Sequence, residues 1–275
     1  MPFDDLIEDK DKLIDNRIDA INEKSVEASE ILASMIKQTL FSLSDNGVIK
    51  FNLKNINIIT NLRPLINDAF KESGLDKEIK GFTKDFNQLV TYNSDIQDQL
   101  NKLTIKTDPL YKYADQQSKL VQERLLLNIS ESDSFGQGLR KLLTESIASG
   151  QSFTTTSKQV DTYLKGSPKN APQLEKYVNQ VTRDAISQFD GSLNAQIAVE
   201  YDLNAYRYVG SLVKDSRPQC VRWVKMGILK ISELDKEIAW AFNNGQGMIN
   251  LTNKDNFAVF GGGWACRHSA IPSYI

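Results

Sequence analysis

The side chains best able to do chemistry gather near one end of this chain. Both cysteines, the single histidine and all three tryptophans lie from Cys220 onward. The terminal stretch "GGGWACRHSAIPSYI" sets Cys266, Arg267 and His268 directly behind a glycine cluster. On a strand, Cys266 and His268, two apart, project to the same face. If the fold brings Cys220 alongside, three soft or borderline ligands converge, with Asp215 available as a fourth. Such a set suits zinc. The spacing lacks the paired Cys-x-x-Cys loops of a typical structural zinc site, so no cofactor is expected and zinc stays an alternative. Cys220 and Cys266 can also form a disulfide once the chain leaves a reducing compartment.

Catalytic readings use the same residues. Cys266 or Cys220 would be the nucleophile and His268 its base, given a third group to orient the ring and N–H donors from "GGGWA" for an oxyanion. In a metal-independent ribonuclease, His268 would protonate the leaving oxygen while Arg267 and Arg217 hold a phosphate. No paired carboxylates at metal spacing stand nearby, which argues against a two-metal nuclease. The plain alternative makes both cysteines small buried apolar groups and has His268 donate to a backbone carbonyl. The plain reading is preferred, because a single Cys/His pair is common without chemistry.

The rest of the chain must position these groups. Its 275 residues, 40% hydrophobic and 25% charged, are enough for one large or two small domains with a packed core. A net charge of −2 excludes a surface coated in basic residues for nucleic acid. No apolar run is long enough for a membrane span. The opening "MPFDDLIEDKDKLID" is acidic and unlike a secretory signal. With two cysteines, no disulfide framework is expected, and the protein reads as made in the cytosol with reduced thiols.

Long helices dominate the first part. Ile7, Ile14, Ile21, Ala28 and Met35 recur every seven residues, with Ile18, Ser25 and Leu32 on the adjoining position. That predicts a coiled-coil-like seam ending at "SDNG" (Ser44 to Gly47). "VIKFNLKNINIITNLRPL" fits either a brief strand or a helix bent at Pro64. Phe82, Phe86, Leu89, Asn93, Ile96, Leu100 and Leu103 form an a/d stripe with steps of four and three, and Asn93 takes one core position. A hairpin within one chain is preferred to an oligomer through these helices. Thr107 or Asp108 caps the next helix. Further helices are expected around Leu120 to Asn128, before Gly150, before Gly166, and from Val178 to Glu200, with "SPKNAPQ" as a loop. Beyond that, Ala205 to Val213 reads as a strand, "WVKMGILKISELDKEIAWAFNNG" as one or two short helices, and "NFAVFGGG" as a last strand with a tight turn. The expected fold is mainly α with a small α+β module: long helices over 1–110, a helical connector over 111–174, and the module over 175–275.

A series of short elements goes beyond periodicity: "VTRDAISQFDGSLN", then "YRYVGSLVKDSRPQCVRWVKMG", then "NFAVFGGGWACRHSAIPSY". It resembles the C-terminal domain of the phage head-morphogenesis, or Mu F-like minor head protein, family. Asp215, Arg217 and Cys220 match its middle Asp-x-Arg-x-x-Cys element, and Cys266, Arg267 and His268 its terminal one. Arg183-Asp184 stands where the family has Arg-Thr-Glu, and Trp223 replaces a frequent second cysteine. The resemblance covers about the last hundred residues. It implies a minor virion protein, made in the host cytoplasm and incorporated near the portal during head assembly, with some relatives linked to DNA delivery. Portal and capsid proteins are then the expected partners, with packaged double-stranded DNA near the more basic C-terminal region. Because the same domain also occurs beside toxin domains, the resemblance alone does not settle activity. Asp215 and Arg217 have a plain role too: closing the turn, with Arg217 bridging to a carboxylate or carbonyl and Pro218 stiffening it. Arg183 and Asp184 are expected to partner that element.

Overall fold

A computed structural model describes residues 2–49, 52–129, 134–167, 170–263 and 266–275. It is mainly helical with a small sheet near the C-terminus, as expected. Helix α1 (Phe3–Ser42) is followed by a two-residue hairpin, β1 (Ser44–Asp45) and β2 (Val48–Ile49). Then come α2 (Leu53–Thr60), α3 (Arg63–Ser73), α4 (Leu75–Lys80) and α5 (Phe82–Asn101). Helix α6 (Asp108–Glu123) runs on into a π-helical turn at Arg124–Asn128, followed by α7 (Ser134–Ala148), α8 (Phe153–Lys165) and α9 (Gln173–Glu200). The last part holds β3 (Ala205–Val209), α10 (Pro218–Met226), β4 (Ile228–Lys230), α11 (Leu234–Asn244), α12 (Phe257–Phe260) and β5 (Ser269–Ser273).

The chain divides into two compact units, each built from segments distant in sequence. One takes residues 16–82 and 119–181; the other takes 1–15, 83–118 and 182–275. Both units draw on all three of the stretches 1–110, 111–174 and 175–275.

In the first unit the seam of α1 is buried through Ile18, Ile21, Ser25, Ala28, Leu32, Ile36 and Leu40. The hairpin after it turns on Asn46 and Gly47, both with positive φ, as a two-residue Asn-Gly turn between strands requires. Of the two alternatives for the next segment the brief strand is found, as β2, whereas no helix bends at Pro64, which opens α3 instead. Ser152 caps α8 by accepting from Thr155 N–H.

In the second unit three strands pair antiparallel in the order β4-β3-β5, with Arg207 opposite both Ile228 and Ile271. Phe86 of α5 stacks on Phe189 of α9 with ring centroids 4.1 Å apart. Leu6, Ile96 and Ile271 form a small core that joins the first turns of α1 to α5 and β5. Gln97 and Asn101 of α5 donate to the Pro272 carbonyl, at 3.2 and 3.0 Å, so side chains satisfy part of the β5 backbone.

Three expectations fail locally. "NFAVFGGG" is not a strand: Asn253 and Asn256 form a capping box that starts a helical turn, and α12 follows. A short apolar run has no period of its own, and the cap decides it. Ile228–Lys230 is a strand inside a stretch read as helical, because Gly227, with φ +70°, stops α10 and lets the chain turn back onto β3. The strand from Ala205 ends at Val209 rather than Val213, since Gly210 takes a φ of +136°.

Candidate functional site

The site grows from the middle strand. On β3, Tyr206 and Tyr208 are buried against a cluster that includes Cys220, Trp223, Leu229 and Phe257. Helix α10 supplies its buried face through Gln219, Cys220 and Trp223, with Pro218 opening the helix behind Arg217. Trp223 is fully buried and packs edge-on against Tyr208 and Phe257, at centroid distances of 5.4 and 5.0 Å. Its indole N–H donates to Glu237 of α11 at 3.2 Å, and Arg222 grips the same carboxylate through two bonds of 2.7 and 2.9 Å. These bonds hold the Glu237 carboxyl below its ordinary value, Arg222 being the largest cause.

Cys266 and His268 lie just before β5 rather than on the strand. They nevertheless meet Cys220. The two sulfurs are 3.7 Å apart, Cys266 Sγ is 3.5 Å from His268 Nδ1, and one ligand atom from each residue lies within 4.8 Å of the others. The set can therefore hold a metal ion. The Tyr208 hydroxyl lies 3.7 Å from Cys220 Sγ and 3.8 Å from Cys266 Sγ, and its ring stacks near His268. Glycine makes this approach possible: a Cβ on Gly262 would stand 2.1 Å from Cys266 Sγ, and one on Gly210 would meet the His268 ring at 2.8 Å. The sulfurs share their protons unequally. Contact with Cys220, then with His268, pulls the Cys266 thiol well below its usual value, whereas Cys220 is pushed up by the same contact and by burial. Burial likewise pushes the Tyr208 hydroxyl well up.

Two of the three ligand-atom separations match those of a bound metal, and the third, Cys220 to His268, is within 4.8 Å. A tetrahedral ion bound at about 2.3 Å to sulfur and about 2.0–2.1 Å to nitrogen has S···S edges near ~3.8 Å and S···N edges near ~3.6 Å. Compare the 3.7 and 3.5 Å found between Cys220, Cys266 and His268.

The other sequence-selected residues take separate places. Arg217 donates through Nη1 to the Gly262 carbonyl, joining the start of α10 to the glycine turn. Asp215 is exposed and outside the ligand cluster, so it supplies no fourth ligand; Ser216 closes the turn, accepting from Val213 N–H and donating its own N–H to the Val213 carbonyl. Arg267 is exposed. Arg183 and Asp184 sit on α9, Asp184 buried and Arg183 half-buried. From the same helix, Ser187 donates to the Cys266 carbonyl at 3.2 Å. Trp264 and Ala265, which with the glycines were to furnish an oxyanion site, lie outside the described residues, as do Ser132, Asp133, Pro168 and Lys169. The His268 Nε2 atom is buried with no hydrogen-bond partner among the described residues, while the ring interacts electrostatically with the Asp11 carboxyl.

A second polar cluster in the same unit was legible only through Asn93. Lys10, 1% exposed, places its ammonium 2.7 and 2.8 Å from the Asp190 carboxylate oxygens. Asn93 donates to the same carboxylate at 2.8 Å and accepts from Lys10 at 3.4 Å, and Ser269 donates at 3.0 Å. The network ties α1, α5, α9 and β5 together. Beside Lys10, burial pushes the Asp11 carboxyl up to about 6, against the opposing pull of the lysine.

Comparison with known families, curated proteins and solved structures finds no match.

Proposed function

We propose that this chain is a minor virion protein of the phage head-morphogenesis type, acting in head assembly beside the portal, and that its C-terminal module is mechanical. In this reading the protein is made in the host cytoplasm and carried into the particle. The helical stretches dock on portal and capsid proteins, and the C-terminal region lies near packaged double-stranded DNA. One observation carries the mechanical part. Two cysteine-bearing segments, 46 residues apart in sequence, converge beside a buried aromatic cluster. Such a convergence serves a clamp better than a nucleophile.

Zinc is the ion this clamp suits. Two sulfurs and an imidazole form a borderline-soft set, and the Cys220–Cys266 and Cys266–His268 separations are those of two edges of a tetrahedral site. Bound zinc would hold α10 and the segment before β5 together; Cys220, Cys266 and His268 are the residues that would bind it. Mass spectrometry of particles produced from the source genome tests the virion assignment: the chain should be present at low copy, and its absence from purified particles overturns that assignment. Elemental analysis of the purified full chain tests the ion, with His268→Ala expected to lower the bound zinc.

The rival is a Cys/His enzyme or a metal-independent ribonuclease effector, favoured by the lowered Cys266 thiol beside His268. It predicts toxicity on expression in bacteria that His268→Ala abolishes; the assembly reading predicts no such toxicity.

A further inference from the structure

We propose that Cys220 and Cys266 form a redox latch, which a small disulfide oxidant closes into one internal disulfide, so that the same two sulfurs hold a metal when reduced and hold each other when oxidised. The metal half of this statement rests on the zinc reading above; the disulfide half stands on geometry alone.

Cys220 and Cys266 are the only cysteines in the chain, both are free, and their sulfurs are 3.7 Å apart. A disulfide bond of about 2.05 Å requires the sulfurs to close by less than ~2 Å. The two sides differ in how readily they can move and be reached. Cys220 is 2% exposed and fixed in α10 between Gln219 and the buried Trp223. Cys266 is half-buried and sits in an irregular segment ahead of β5. In this proposal the oxidant meets Cys266, the residue outside a helix, first.

The chemistry balances without any further reagent than the oxidant. The Cys266 thiolate attacks one sulfur of glutathione disulfide; the S–S bond of glutathione breaks, a mixed disulfide forms, and one glutathione leaves as thiolate. Cys220 gives up its proton to solvent and attacks the Cys266 sulfur, expelling the second glutathione as thiolate. Both glutathione thiolates then take up protons. The protein loses two electrons and the glutathione disulfide gains them: of the two lone pairs that would bind an ion, one becomes the new S–S bond and the other is the pair that leaves. A chain made among reduced thiols thus carries the open, metal-holding form, and one moved to an oxidising medium carries the closed form.

The test uses the full chain, purified with reductant and zinc, freed of both by gel filtration, and titrated with glutathione disulfide. Free thiols are counted by alkylation and intact mass, and released zinc is read with a chromogenic chelator. The expected result is loss of both alkylatable thiols within a monomer, parallel release of the bound zinc, and full reversal by dithiothreitol. Cys220→Ser is expected to stop at a single glutathione adduct on Cys266. Because that variant can fail to fold, His268→Ala serves as a second check: it keeps both sulfurs and is expected to close. Two free thiols after treatment, a lasting glutathione adduct on the wild-type chain, or a disulfide only between chains overturns the latch. A chain that holds no zinc yet closes its disulfide overturns the zinc reading and leaves the latch standing. A chain that keeps its zinc and both thiols does the reverse.

Discussion

Two buried polar clusters lie in the same compact unit, and they differ in a way that separates structure from function. Around Asp190, Lys10, Asn93 and Ser269 satisfy one another at ordinary hydrogen-bond lengths. Around Cys266, the contacts between Cys220, Tyr208 and His268 are soft ones of 3.5–3.8 Å, and His268 Nε2 has no hydrogen-bond partner among the described residues. Buried polar groups in a folded chain are almost always paired. A cluster that is complete explains itself as a fold-specifying network, whereas two free sulfurs and an imidazole in soft contact leave room for chemistry between them, here an ion or a disulfide. The first cluster also shows why a charged core is kept: one lysine on α1 is tied to three other elements far apart in sequence.

Removing one member from each cluster tests this contrast. The largest effect is expected at the complete cluster. Asp190→Ala leaves the Lys10 ammonium buried and unpaired, and should lower stability by about 3–5 kcal/mol in chemical denaturation. Adding Lys10→Met should recover most of that loss, because an apolar replacement of the whole pair is often neutral. No recovery would show that Lys10 does more than balance charge. At the incomplete cluster the loss should depend on the ligand. A chelator should lower stability by about 3 kcal/mol if zinc had been present at a hundred times its dissociation constant. Amide exchange should then accelerate in α10 and β5 while Val160 and Leu164 of α8 stay protected. Equal acceleration everywhere would remove the reason to assign the ion to Cys220, Cys266 and His268.

Smaller changes probe the packing that brings the second cluster together. Gly191→Ala puts a Cβ 2.3 Å from the Ala258 carbonyl oxygen and 2.7 Å from Val259 Cα, so α9 and α12 must separate. The expected loss is about 1–3 kcal/mol, visible as a lower melting temperature. Glu237→Gln weakens the grip on Arg222 and Trp223 and should lose about 1–3 kcal/mol near neutral pH. Since the Glu237 carboxyl sits below its ordinary value in the folded chain, the unfolded chain takes up that proton first as the pH falls. Its stabilisation is full above the ordinary carboxylate range and fades as the pH drops through the lowered value. The wild-type advantage over Glu237→Gln should therefore shrink in acid; an advantage that is constant with pH would show that shape rather than charge matters there.

Much of the helical framework was legible because its period is carried by many residues at once. The seam through Ile18, Ile21, Ser25, Ala28 and Leu32 and the stripe through Phe82, Phe86, Leu89 and Asn93 survive any single odd residue. Asn93 was read as a core asparagine that sets register, and it sits fully buried. Its partners Lys10 and Asp190 were invisible, since each looks like any surface charge on a helix until the other is opposite it. "NFAVF" was misread because five residues hold neither period for long enough, and a capping box outside the run decided its fate. Within the site, Cys220, Cys266 and His268 could be named from scarcity alone. Tyr208 and Glu237 could not, being one of nine tyrosines and one of many carboxylates.

Local chemistry along the chain determined the helices, their caps and the few residues able to bind a metal or react, because propensity, period and ligand type are properties of short segments. The meeting of Cys220 with Cys266, the burial of Lys10 on Asp190 and the exposure of Asp215 were decided only in three dimensions. Each depends on how far two distant segments can approach, and that distance is set by packing, here by glycines without a Cβ at Gly210 and Gly262.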